Sequence, residues 1–164
     1  MIKLRKLEKK DIPFMLEWMH DIENEKIFQN DFYSMNEKKC EEFIKNSFTT
    51  DNQHFAIVND LDDEYLGTIS LKNINYKNMN AEYAISTRKK IRGTGCALSA
   101  TKTIIKYGFD ELRLNKIYLN VLTSNERAKC FYKKVGFQYE GTFKKHILIN
   151  NKYEDLEWYG IIDG

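Results

Sequence analysis

A chain of 164 residues is long enough to bury a real core and short for two, so a single domain spanning 1–164 is expected. Its 26 basic residues against 24 acidic ones leave a formal charge of +2, too weak a field to argue for nucleic acid or a membrane surface, and neither is expected as a partner. Cys40, Cys96 and Cys130 show no C-x-x-C spacing, the opening residues carry no long apolar run, and no stretch approaches the ~20 apolar residues of a membrane span, which together point to the cytoplasm.

In chain order, "IKLRKL" alternates apolar and basic residues as a half-buried strand does. Ile12, Met15, Leu16 and Met19 then recur at helical spacing. Ser34 and Glu37 read as a capping box ahead of a second helix over roughly 35 to 48, carrying Cys40, Phe43, Ile44 and Phe48. "HFAIV", "YLGTISLKNI" and "NAEYAIS" are short, alternating and bounded by Asn, Asp or Gly, and predict an antiparallel meander.

Leu98, Thr101, Ile105, Phe109 and Leu112 mark one face of a four-turn helix, and "LNKIYLNVL" returns to strand periodicity, which completes a β-α-β unit. Ser124 or Asn125 caps a further helix with Ala128, Phe131, Tyr132 and Val135 on one stripe and Gly136 at its end. In the tail, Asn150-Asn151 supplies the positive φ values of a tight hairpin. The predicted order is β-α-α-β-β-β-α-β-α-β-β.

One stretch carries chemistry: "IRGTGCALSA", residues 91 to 100, places two glycines directly before a helix. Bare N–H groups and the positive end of a helix dipole suit a phosphate there. A Walker loop would need G-x-x-x-x-G-K-[ST], which is absent, and a dinucleotide fingerprint would need a small residue where Leu98 stands. Arg88, Lys89, Lys90 and Arg92 read either as a solvated run or as charge for phosphates.

Arg92-Gly93-Thr94-Gly95-Cys96-Ala97 resembles the R/Q-x-x-G-x-G/A pyrophosphate signature of the GNAT acyl-CoA acyltransferases. "SNERAKCFYKKVGF" is similar to the second motif of that family, N-x-x-A-x-x-x-Y-x-x-x-G-F. The likeness in element order extends over the whole chain, and motif-level likeness lies within about residues 79 to 142. "EG" at 140–141 and the tail resemble the branch that includes ribosomal-protein N-terminal, spermidine and amino-sugar acetyltransferases. The resemblance implies an α+β GNAT fold, with a mixed, mostly antiparallel twisted sheet of about seven strands flanked by about four helices. It also implies acetyl-CoA as co-substrate, no metal, and direct attack by an amine in a ternary complex.

By that resemblance, backbone near Ile85 bonds the thioester carbonyl, while Ser86, Thr87, Arg92, Gly93, Thr94, Gly95, Cys96 and Ala97 hold pantetheine and phosphates. Tyr132 matches the general acid for the departing thiolate, although its stripe also suits a core aromatic. Asn125 reads as a helix cap and, by resemblance, as a pantetheine ligand. Glu82 points opposite to Ala81 and Tyr83 on its strand and is the candidate base, against the plainer reading of an exposed carboxylate. His20, His54 and His146 show no metal spacing and read as structural, and Cys96 and Cys130 read as packing residues.

The acceptor is the least legible part. Trp18, Phe28, Phe32 and Tyr33 beside Asp21, Glu23 and Glu25 suit a cationic amine with an apolar portion, or else simple helix packing. The expected substrate is a small-molecule amine, a polyamine or a nucleotide-linked amino sugar. A protein N-terminal acetyltransferase and a non-catalytic acyl-CoA-binding module are the alternatives. Oligomeric state is left open, with a homodimer among the options.

Overall fold

Seven strands form one sheet in the order β1-β2-β3-β4-β5-β7-β6. They are β1 (Ile2–Lys6), β2 (Gln53–Asn59), β3 (Tyr65–Asn75), β4 (Asn80–Thr87), β5 (Lys116–Leu122), β6 (Gln138–Ile149) and β7 (Lys152–Ile162). Helices α1 (Ile12–Met19), α2 (Glu37–Lys45), α3 (Cys96–Asp110) and α4 (Glu126–Val135) complete the predicted element order. This computed structural model describes residues 1–21 and 31–164. The architecture is the mixed, mostly antiparallel α+β sheet expected from the resemblance: every neighbouring pair is antiparallel except β4 and β5. A parallel pair needs a crossover, and α3 provides it.

Two apolar clusters flank the sheet. One gathers Ile69, Leu71, Tyr83, Ile104, Ile117 and Leu119 against α3 and α4; the other gathers Met15, Trp18, Met19, Cys40, Ala56 and Val58 under α1 and α2. Burial on both sides explains why β3 reads as a nearly unbroken buried run from Tyr65 to Leu71. The buried face of α3 holds Ala100, Thr101, Ile104, Ile105 and Gly108, which moves it off the predicted Leu98 and Phe109 edge. Gly108 is the reason: a Cβ there would stand 2.9 Å from Ile117 Cδ1, so the helix seats closely on the sheet at that point.

Local signals fared differently. Asn150 and Asn151 both adopt positive φ, 50° and 62°, as the hairpin requires. The second helix, however, is capped by Asn36, whose side chain accepts from Lys39 N at 2.9 Å, and not by the Ser34/Glu37 box. Ser34 instead closes a short 3-10 turn over Phe32–Ser34.

The feature that creates the site lies between β4 and β5. They pair only at Asn80↔Lys116, Ala81↔Ile117 and Glu82↔Tyr118, and then part. β4 stays in register with β3 as far as Gly67↔Thr87. Gly67 permits that hold, since a Cβ on it would lie 2.6 Å from Ser86 O and 3.0 Å from Thr87 Cα. The end of β4 is thus drawn to β3 and leaves β5.

Candidate active site

Two clefts open on the parted strands. The first, about 1020 Å³, is lined by Ile85, Ser86, Thr87, Arg92, Gly93, Thr94, Gly95, Ala97, Asn125 and Tyr132, together with Ile91, Leu98, Ser124, Arg127, Phe131 and Lys134. The second, about 350 Å³, lies under α1 and α2 and is lined by Trp18, Phe32, Glu82 and Met15, and by a polar row from His54 and Thr68 to Asn120. Ile85, Ser86, Asn125 and Tyr132 belong to both. The two spaces meet where β4 leaves β5.

The first cleft is a backbone cradle. Gly93 and Gly95 take φ of +73° and +85°, a region costly for residues with a Cβ. The turn they make is closed by Thr94, whose hydroxyl donates to Ile91 O and accepts from Cys96 N at 3.3 Å. The first N–H groups of α3 have no carbonyl one turn behind them and are placed to receive an anion.

The neighbouring basic run divides. Arg88 donates to Glu17 at 2.7 Å and Glu64 at 2.8 Å, Lys89 pairs with Asp21 at 2.9 Å and Lys90 pairs with Glu64, so these three tie the loop to the rest of the fold. Arg92 alone of the four lines the cleft, joined by Arg127 and Lys134, which sequence reasoning did not single out. Cys96 lines neither cleft; its side chain packs on the core beside α3. Cys130 is exposed, which corrects its reading as a packing residue.

Helix α4 brings Asn125 and Tyr132 to the junction. Asn125 Oδ1 accepts from Ala128 N at 3.2 Å and caps the helix, which leaves the amide nitrogen as a donor. Lys129, one turn on, is buried and reaches Glu157 of β7 at 3.2 Å, where Tyr159 also donates to the carboxylate at 2.8 Å. The helix is thereby anchored to the sheet. Tyr132 packs edge-on to Tyr83 at 5.8 Å and Phe137 at 6.0 Å, so it is a core aromatic and a cleft residue together. Burial raises its phenol to about 12, and it stays protonated through the neutral range.

Glu82 sits on the last paired rung of β4 and β5. Asn73 and Asn120 donate to it at 3.1 and 3.3 Å, and Lys72 Nζ lies at 3.5 Å. Burial first, and then the Glu82 carboxylate, push Tyr118 upward.

Of the aromatic candidates, Trp18 and Phe32 meet edge-to-face at 5.0 Å and line the second cleft. Trp18 Nε1 donates to Tyr65 Oη at 2.9 Å, and Tyr65 bonds Thr68 at 2.6 Å. Tyr33 is 55% exposed, lies 5.7 Å from the His20 ring and is outside the lining of both clefts. Phe28, Glu23 and Glu25 fall outside the described residues. Asp21 is engaged with Lys89.

Sequence reasoning missed Thr68, Ser70 and Lys72, which line the second cleft from β3, and His54 opposite Ser70 on β2. The alternation of Thr68, Ser70 and Lys72 was visible, but the register that brings His54 and Glu82 beside them was not.

With that geometry in place, likeness to known proteins becomes informative. A family model described as an acetyltransferase (GNAT) domain matches residues 2–138. The spermidine N(1)-acetyltransferase of Escherichia coli (strain K12) is 31% identical over 159 residues, covering 94% of this chain and 82% of that protein. The putative ribosomal N-acetyltransferase YdaF of Bacillus subtilis is 30% identical over 101 residues, 62% of this chain and 55% of that protein. The crystal structure of spermidine N-acetyltransferase from Vibrio cholerae, in complex with CoA and spermine, aligns with a TM-score of 0.88 at 26% identity, over 98% of this chain and 95% of that one.

Proposed function

This chain belongs to the GNAT family of acetyl-CoA-dependent N-acetyltransferases, and from that premise we propose that it acetylates a primary amine of a polyamine by direct attack in a ternary complex. The observation that carries the reading is the junction: a glycine-built, cation-lined cleft and an aromatic, acid-bearing cleft share Ile85, Ser86, Asn125 and Tyr132. Acetyl-CoA enters through the first and the amine through the second. The similarity to two spermidine acetyltransferases supports the choice of amine.

In the proposed mechanism the pyrophosphate rests on the Gly93–Gly95 turn and the start of α3, with Arg92, Arg127 and Lys134 supplying charge. Pantetheine runs along the unpaired edge of β4, where backbone near Ile85 receives the carbonyl oxygen and its developing negative charge. Asn125 adds a side-chain donor. The amine approaches over Trp18 and Phe32, whose faces suit an alkylammonium chain.

Glu82, acting through water, removes a proton from the attacking nitrogen. The C–N bond forms, the C–S bond breaks, and the electron pair leaves on sulfur. Tyr132 donates to that sulfur. A free thiol has a pKa of about 8.5, well below that of the buried phenol, so Tyr132 acts chiefly as a hydrogen-bond donor to the sulfur, and the proton that Glu82 took from the amine passes through water to the thiolate, which frees Glu82 again. The products are the acetamide and CoA with its thiol restored. The three thiols, free of disulfides, support a cytoplasmic setting for this reaction.

Release of CoA thiol from acetyl-CoA, measured with spermidine, spermine, nucleotide-linked amino sugars and N-terminal peptides, tests the proposal. Turnover on the polyamines at least tenfold above the others is expected. Turnover on peptides alone would replace the acceptor, and acetyl-CoA binding without turnover on any amine would make the chain a sensor. Glu82→Gln should also remove the acidic limb of the kcat/KM profile, and an unaltered profile would remove Glu82 as base.

A further inference from the structure

Beyond the reacting centre, the second cleft contains a pair of groups to which the mechanism gives no role. His54 Nδ1 lies 2.6 Å from Ser70 Oγ, and Ser70 is itself 4% exposed. The imidazole is wedged against Phe43 of α2, ring centres 4.8 Å apart, and lines the cleft. Its second nitrogen, Nε2, has no hydrogen-bond partner among the described residues. Burial, with Lys72 adding repulsion, holds the imidazole neutral by lowering its pKa to about 4. A ring fixed on one nitrogen, neutral and open on the other, is built to bond something that enters the cleft.

The register gives the distance. Ser70 pairs with His54 on one side and with Ala84 on the other, so His54 stands two strand spacings, about 10 Å, from the β4 residue next to Ile85. An acceptor whose reacting nitrogen is at the junction reaches His54 only with its far end.

We propose that His54, oriented by Ser70, is a specificity-determining residue that accepts a hydrogen bond from a second, distal nitrogen of the acceptor. This rests on the polyamine reading above. In the tautomer whose Nδ1–H donates to Ser70 Oγ, the Nε2 lone pair is free to accept from an N–H of that distal nitrogen. Glu82, paired with Lys72, is left to the reacting nitrogen.

The test is a kinetic comparison of alkane diamines with alkylamines of equal length, on the wild-type enzyme and on His54→Leu, His54→Gln and Ser70→Ala. His54→Leu should raise the diamine KM about tenfold, with kcat, the alkylamine KM and the acetyl-CoA KM unchanged. His54→Gln keeps an acceptor oxygen and should restore most of the loss. Ser70→Ala should shift the diamine KM in the same direction by about threefold, because it frees the tautomer while removing only a hydroxyl from the cleft wall. If the wild-type enzyme turns over neither amine class, the polyamine reading fails and the inference with it. If it turns over both and the variants shift both KM values equally, or neither, the reading stands and the inference is overturned.

Discussion

The two clefts are made of different material. The first cleft, proposed to hold the donor, is largely main chain: two left-handed glycines, a helix N-terminus and a strand edge, with side chains adding charge around the rim. The second, the proposed acceptor cleft, is almost wholly side chain, drawn from α1, α2, β2, β3, β4 and β5. Backbone geometry tolerates almost any neighbouring sequence once the glycines are in place, so such a site keeps one ligand through much change. A wall of side chains changes its ligand with each substitution. The contrast teaches that in the proposed reaction one ligand is held by conformation and the other by side-chain chemistry.

The largest test of that division falls on the junction. Tyr132→Phe keeps the ring against Tyr83 and Phe137 but loses the hydroxyl, and should lower kcat by about 100-fold or more with both KM values nearly unchanged. Full turnover in steady-state assays would remove Tyr132 as the donor to the leaving sulfur. Next comes Gly95→Trp, in which a bulky residue is forced to φ +85° inside the cradle. It should weaken acetyl-CoA binding by about 100-fold in calorimetry, from strain and lost N–H contacts together, while amine binding is retained. A parallel loss of amine affinity would break the comparison.

A third test probes the acceptor side through stability. His54 is held neutral in the fold, near pKa 4, against an ordinary value of 6.5 in the unfolded chain. Below pH 6.5 the unfolded chain binds the extra proton, so stability falls as pH drops toward 4. From pH 7 to pH 5 the loss from this group is about 2 kcal/mol, and urea melts of His54→Leu should lack that component. Identical slopes in the two proteins would show that the imidazole is not buried as described. The smallest effect sharpens the donor side: Arg92→Ala removes one exposed cation and should weaken acetyl-CoA about tenfold, increasingly so at low salt.

Legibility in the sequence follows the same division. Gly93, Gly95, Asn125 and Gly136 announced their backbone tasks because few other residue types perform them. The hairpin at Asn150-Asn151 and the crossover helix were readable for the same reason. The cap of α2 was misread because Asn36 and Ser34 are both competent caps and only the chain's path chooses between them. Tyr33 looked equivalent to Phe32, yet a single step along a 3-10 turn sends it out to solvent. The His54–Ser70 pair was invisible because it depends on the β2–β3 register, and that register shifts at Ile57/Val58, where the ladder is irregular.

The parting of β4 from β5 has a consequence for the molecule at rest. A strand edge normally lies at the border of a sheet, where it risks recruiting another chain. Here an edge is opened in the middle of the sheet, walled by α4 and the glycine turn, so that only a slender extended molecule can dock along it. In the proposed complex that molecule is the pantetheine arm, which stands in for a missing strand. Folding and cofactor binding are then linked: acetyl-CoA should raise the melting temperature with the logarithm of its concentration in thermal melts, and amide protons on the inner edge of β4 should exchange more slowly while it is bound.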